Sequence, residues 1–144
     1  MTTQNYAKHT QLVPLFHFIL MPVLLLTLIG AAVNLYQSWD DHERIYSASL
    51  ILVLVICMII LSFLARTFAL KAQDRAIRAE ENLRFFVLTG KLLDSRLGIR
   101  QVIALRFAPD AELVALAKKA ADESLASDAI KRAIQQWRPD TYRV

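Results

Sequence analysis

Two uninterrupted apolar blocks constrain what this chain can fold into more than any other feature. Leu12 to Leu35 carries one ionisable group, His17, and Ile45 to Ala65 carries no Asp, Glu, Lys, Arg or His. At about 1.5 Å of rise per helical residue, each block is long enough to cross a hydrocarbon layer of about 30 Å. Soluble domains are roughly 45–50% apolar. This chain is 56% hydrophobic and only 21% charged, and the excess sits in the two blocks. A simple soluble enzyme is thereby excluded. The residues after Ala65 amount to one small domain, which seldom encloses a complete active-site cleft by itself.

The pattern predicts an all-α fold: a transmembrane helical hairpin, its second span continuing into a cytoplasmic helix, then a small bundle of short helices. Residues 1–11 read as a polar cytoplasmic segment, 12–35 as the first span, 36–44 as an acidic external loop, 45–65 as the second span and 66–144 as a cytoplasmic helical domain. Pro14 falls in the first turn of the first span, where its missing N–H matters little. Pro22 lies deeper and predicts a kink. The block is far longer than the apolar core of a cleaved signal peptide, although Gly30-Ala31-Ala32 has the small residues of a cleavage site. Thirteen Leu, Ile, Val and Phe residues in the second block favour insertion by roughly 4–8 kcal/mol.

No glycine or proline follows until Gly90, so the second helix is expected to run to about Leu88. Beyond it the periodicity predicts three short amphipathic helices. One covers Leu97 to Phe107. The next is opened by Pro109, with Asp110 and Glu112 at its positive end and Leu113, Leu116, Ala117, Ala120 and Ala121 buried. The last is capped by Ser127, runs through Trp137 and is ended by Pro139.

Net charge is +4, but after Ala65 fifteen Lys/Arg are interleaved with ten Asp/Glu, the mark of a solvated helical surface rather than of a nucleic-acid site. Asp40, Asp41 and Glu43 lie between the blocks, while Arg66, Lys71, Arg75 and Arg78 follow the second. The positive-inside bias then places both termini in the cytoplasm, with the loop outside. Cys57, alone in its chain and in mid-block, reads as a small apolar filler.

The search for chemistry is mostly negative: there is no CxxC, HExxH, Walker, dinucleotide or nucleophile-elbow motif. Asp94-Ser95 and Asp122-Glu123-Ser124 read as surface or capping groups, and His9 and His42 as exposed and inert. His17, an ionisable group within a span, is the one candidate for a cofactor or proton. A hairpin sets it at the depth of Ser62, Phe63 and Arg66, where a hydrogen bond to a serine or a backbone carbonyl is the leading expectation and a haem or pigment contact the alternative. No cofactor and no catalytic residue are expected.

Helix contacts carry the remaining signal. Thr27, Gly30, Ala31 and Asn34 recur at i, i+3, i+4, i+7, which lets membrane helices approach and hydrogen-bond, either with the second span or with a larger partner. Ala65, Ala69, Ala72, Ala76 and Ala79 recur at spacings of four and three, continued by Leu83, Phe86 and Gly90, which is a heptad seam flanked by charges. It has two readings: packing on the chain's own C-terminal helices, or association between copies.

The strings Asn5-Tyr6…His9, Val13-Pro14-Leu15-Phe16-His17-Phe18, Leu64-Ala65-Arg66-Thr67-Phe68-Ala69-Leu70-Lys71, Gln73-Asp74-Arg75, Ile103-Ala104-Leu105-Arg106-Phe107-Ala108 and Trp137-Arg138-Pro139-Asp140 resemble an uncharacterised family of small bacterial membrane proteins, a domain of unknown function. The resemblance covers essentially the whole chain. It implies two spans with a cytoplasmic helical tail and brings no reaction or cofactor. The function expected is that of a non-enzymatic structural, accessory or scaffolding subunit. Its partners would be membrane lipid and either copies of itself or a larger membrane complex, without nucleic acid. An oligomeric channel or transporter component is the alternative, and a cofactor-bearing electron-transfer subunit a weaker one.

Overall fold

A computed structural model describes Tyr6 and residues 12–140. The rest of the predicted 1–11 segment, with His9, lies outside the described residues. Among the described residues the regular elements are helical: a π-helical segment (Leu15–Leu20), α1 (Met21–Gln37), α2 (His42–Thr89), α3 (Ile99–Leu105), α4 (Asp110–Asp122) and α5 (Ser127–Ala133). The chain divides into two compact units, Leu12–Ala69 and a tail unit from Leu70 onward to which Tyr6 also belongs.

Two helices are long and apolar enough to cross a membrane, Leu15–Gln37 in the first unit and His42–Thr89, which begins in it and continues into the tail unit. A kink is expected at Pro22; the structure has π-helical turns, Leu15–Leu20, just before it. The proline ring crowds the carbonyl four residues back, and a wider turn relieves that crowding. Met21 N–H accordingly reaches Phe16 O, five residues back. α2 starts three residues earlier than the sequence indicates because Asp41 caps it. Asp41 Oδ1 accepts from the N–H groups of Glu43 (3.0 Å) and Arg44 (3.2 Å), satisfying donors that have no partner within the helix. α1 likewise runs two residues further, to Gln37, with Ser38 N–H bonded to Asn34 O at 3.0 Å. The unit buries few side chains, chiefly Ala31, Ala48 and Val55, while Leu26 is 68% and Leu54 63% exposed. A core helix of a soluble protein would have buried its leucines.

α2 stops where the chain turns left-handed. Gly90 has φ +71° and its N–H donates to Phe86 O at 2.7 Å, a conformation an L side chain resists. Ser124 closes α4 in the same way with φ +49°.

The tail unit has a core of its own. Leu113, Leu116, Ala117, Ala120 and Ala121 on α4 are all buried, as the periodicity predicts. α3 packs mainly on α5, and α4 on both. Val102, Leu105, Phe107 and Ile130 are each no more than 2% exposed, and each such side chain contributes about 1.5–3 kcal/mol of transfer free energy. α3 is shorter than expected, because Arg106 and Phe107 leave the helix in a turn. Ser127 is the first residue of α5 rather than its cap, which is Ala126.

α5 also ends at Ala133, four residues before the predicted Trp137, and the physical reason is tertiary. Ile134 adopts ψ 121°, extended. Gln135 N–H and Gln136 N–H then donate to the Glu112 carboxylate at 3.0 Å each, and Arg138 N–H donates to Phe107 O at 2.8 Å. Trp137 stacks on Phe107 with ring centroids 5.0 Å apart. Charge-assisted bonds and an aromatic contact replace one further turn of helix.

Candidate functional site

The face of α2 that carries the tail is built from Ile77, Glu81, Arg84 and Phe85. Ile77 and Glu81 are buried, and Phe85 packs against the tail core. Arg84 is the clamp. Its guanidinium donates to Glu81 Oε2 at 2.9 Å, to Asp110 Oδ1 at 2.6 Å and to Ala108 O at 2.7 Å. One side chain thus ties α2 to the first turn of α4, where Asp110 also complements the helix dipole. Arg138 adds a second cation 3.7 Å from Glu81. With Glu81 7% and Arg84 13% exposed, the carboxylate is withdrawn from water and depends on its partners.

A second ionic tie lies at the surface. Arg96 bonds Asp94 at 2.7 Å and Asp122 at 2.9 Å. The Arg96 side chain, then its backbone N–H, hold the Asp94 carboxyl below the usual carboxylate range, and Asp94 and Asp122 in turn raise Arg96. Tyr6 accepts a hydrogen bond from Arg132 at 3.2 Å and lies under its guanidinium, which raises Arg132.

The other side of α2 is open. Ala65, Ala69, Ala72, Ala76 and Ala79 are exposed, and within the tail unit Leu83 is 64%, Phe86 49% and Val87 75% exposed. At about 100° per residue, Ala76, Ala79 and Leu83 lie opposite Ile77, Glu81 and Arg84. Within the tail unit Ala72, Ala76, Ala79 and Leu83 are therefore left outside the bundle, which is tied to the reverse face. Sequence reasoning missed that reverse face because its i, i+4, i+7 set is Ile77, Glu81 and Arg84. Two of its three members are charged, so a search for apolar periodicity selects the alanines instead. The (i, i+3) Glu81–Arg84 pair was the available signal.

The four residues singled out on α1 divide as well. Ala31 is buried, whereas Thr27, Gly30 and Asn34 are exposed. A Cβ added at Gly30 would meet nothing within 4 Å, so no helix approaches closely there. Half-buried His17 donates its Nδ1–H to Val13 O at 2.9 Å and meets the Phe16 ring edge-on at 5.2 Å. Arg66 lies 5.2 Å over that same Phe16 ring. His42 is exposed. Cys57 is free and exposed.

Among the described residues no three His, Cys, Asp or Glu side chains converge as a metal site requires. A cleft of about 480 Å³ is lined by Phe85, Leu92, Leu97, Val114 and Ala117 together with Thr89, Lys91, Asp94 and Lys118. Within it Asp94 is already engaged by Arg96.

Fold and surface together define a class: an all-helical protein with two helices able to span a membrane and a helical tail whose long helix keeps one face unpartnered. The chain belongs to the family of unknown function DUF6526, which it matches over residues 1–144. No curated protein and no solved structure matches it.

Proposed function

We propose that this protein is a non-enzymatic scaffolding or accessory subunit of the bacterial inner membrane, with both termini in the cytoplasm, acting through helix–helix contacts. The observation that carries the reading is a contrast in packing. The tail completes its own core, yet the seam on α2 and nearly all the apolar surface of the hairpin point outward. Exposed apolar surface on this scale is a lipid- or protein-contacting surface. Orientation follows from Arg66, Lys71, Arg75 and Arg78 after the second span, against Asp40, Asp41 and Glu43 in the loop.

The hydroxyl groups of the spans support a scaffold over a conduit. Thr27, Ser47, Ser49 and Ser62 each donate to a carbonyl three or four residues earlier in their own helix, at 2.7–2.9 Å. Groups satisfied in this way suit a helix in lipid and line no continuous polar path.

Two measurements test the reading. In a Cys57→Ser background, Asp40→Cys, exposed in the turn between α1 and α2, is expected to react with an impermeant thiol reagent added to intact spheroplasts, and Ser127→Cys only after permeabilisation. The reverse pattern, or absence from the membrane fraction, overturns the placement. Purified protein reconstituted alone in liposomes is expected to carry no ion current under an applied potential. Reproducible currents altered by Thr27→Ala would replace the scaffold with a channel.

A further inference from the structure

We propose that a second copy of this chain covers the open face of α2, the two helices running parallel and in register from Ala72 to Phe86. The inference rests on the membrane-scaffold reading and names the partner of its exposed surface.

Three observations commit the seam to a second copy. The first is that Ala72, Ala76, Ala79, Leu83 and Phe86 form an a/d stripe that stays exposed although the tail is tied to the reverse face of the same helix through Glu81, Arg84 and Phe85. Among the described residues of the tail unit none covers it: the ties to α2 run through Glu81, Arg84 and Phe85. Dimer and tail thus use opposite sides of one helix and do not compete.

The second is charge complementarity of the stripe with itself. With alanines at 72 and 79 in position d and at 76 in position a, Arg75 occupies g and Glu80 the following e. In a parallel two-stranded seam, g of one helix faces the next e of the other, so Arg75 of each copy meets Glu80 of its mate, twice by symmetry. Both residues are exposed, and neither takes part in an ion pair of 4 Å or less among the described residues. Along their own helix they point about 140° apart, too far round to neutralise each other. An antiparallel seam juxtaposes g with g and e with e, and the match is lost. Pairs of this kind set orientation more than affinity.

The third is topology. Two copies inserted in one membrane with the same orientation bring α2 out on the same side, and only a parallel arrangement is then available. Alanine at three successive seam positions lets the backbones approach closely, and Leu83 and Phe86 supply the larger apolar contact beyond them.

Cysteine cross-linking of the full-length protein in native membranes tests this, in the Cys57→Ser background. Ala76→Cys and Ala79→Cys are expected to give disulfide-linked dimers under mild oxidation, because equivalent a or d positions face each other only in a parallel, in-register pair. Arg78→Cys, exposed but on another side of the helix, is expected to give none. Adding Arg75→Glu to Ala76→Cys is expected to reduce the dimer several-fold, and adding Glu80→Arg as well is expected to restore it. Absence of dimer at both seam positions, or equal dimer at Arg78→Cys, overturns the proposal. If the protein meanwhile remains in the membrane with the labelling pattern given above, the scaffold reading survives and only self-pairing fails. A chain missing from the membrane overturns both.

Discussion

Replacing Phe107 by alanine is expected to remove a large share of the tail unit's stability. Phe107 is 1% exposed, stacks on Trp137 and lies under the Arg106 guanidinium at 4.6 Å. Truncating such a residue costs about 3–5 kcal/mol through lost transfer free energy and the cavity left behind, and a small domain holds only about 5–15 kcal/mol in total. Phe107 O also accepts the Arg138 N–H that turns the C-terminal segment back over the core, so loosening this residue loosens that segment too. Trp137 is the natural reporter. With Trp39→Phe as background, Phe107→Ala should move the Trp137 emission and shift its denaturation midpoint strongly downward. The expectation fails if the midpoint is unchanged.

The second large effect is expected at the clamp. Arg84→Ala leaves Glu81 withdrawn from water with only Arg138, 3.7 Å away, to compensate it, and frees Asp110 and Ala108 O from their shared donor. Breaking a buried pair by removing one partner costs about 3–5 kcal/mol, whereas replacing both partners by apolar residues of similar size is often neutral. Arg84→Ala should therefore be far more damaging than the double variant Glu81→Leu/Arg84→Met. The comparison is made by chemical denaturation followed by circular dichroism. Equal loss in the two would mean that the clamp acts through packing alone, and no loss in Arg84→Ala would remove it as the tie between α2 and α4.

These two sites mark where reading along the chain stops being sufficient. Phe107 belongs to an apolar helix pattern, Leu97 to Phe107, that is visible in the sequence. Its role as the ring on which Trp137 settles depends on α5 ending early, and no local signal indicates that end. Arg84 looks like any of the interleaved surface charges after Ala65. Its three acceptors come from α2, from the first turn of α4 and from the turn before it, so they meet only when the tail has folded.

The sequence by itself determined the two apolar helices, the long continuation of the second to the neighbourhood of Gly90, and the buried face of α4. Each follows from interactions between residues close in the chain: hydrophobic periodicity, an absence of breakers and helix-terminal chemistry. It also marked the alanine stripe as a seam. Tertiary structure alone decided which side of α2 the tail occupies, because a face made of Ile77, Glu81 and Arg84 becomes favourable only once Asp110, Ala108 O and Arg138 are delivered to it from far along the chain. With that side taken, the alanines and Leu83 remain outside. Only after folding does the stripe stand apart as exposed surface rather than as part of the tail's own core.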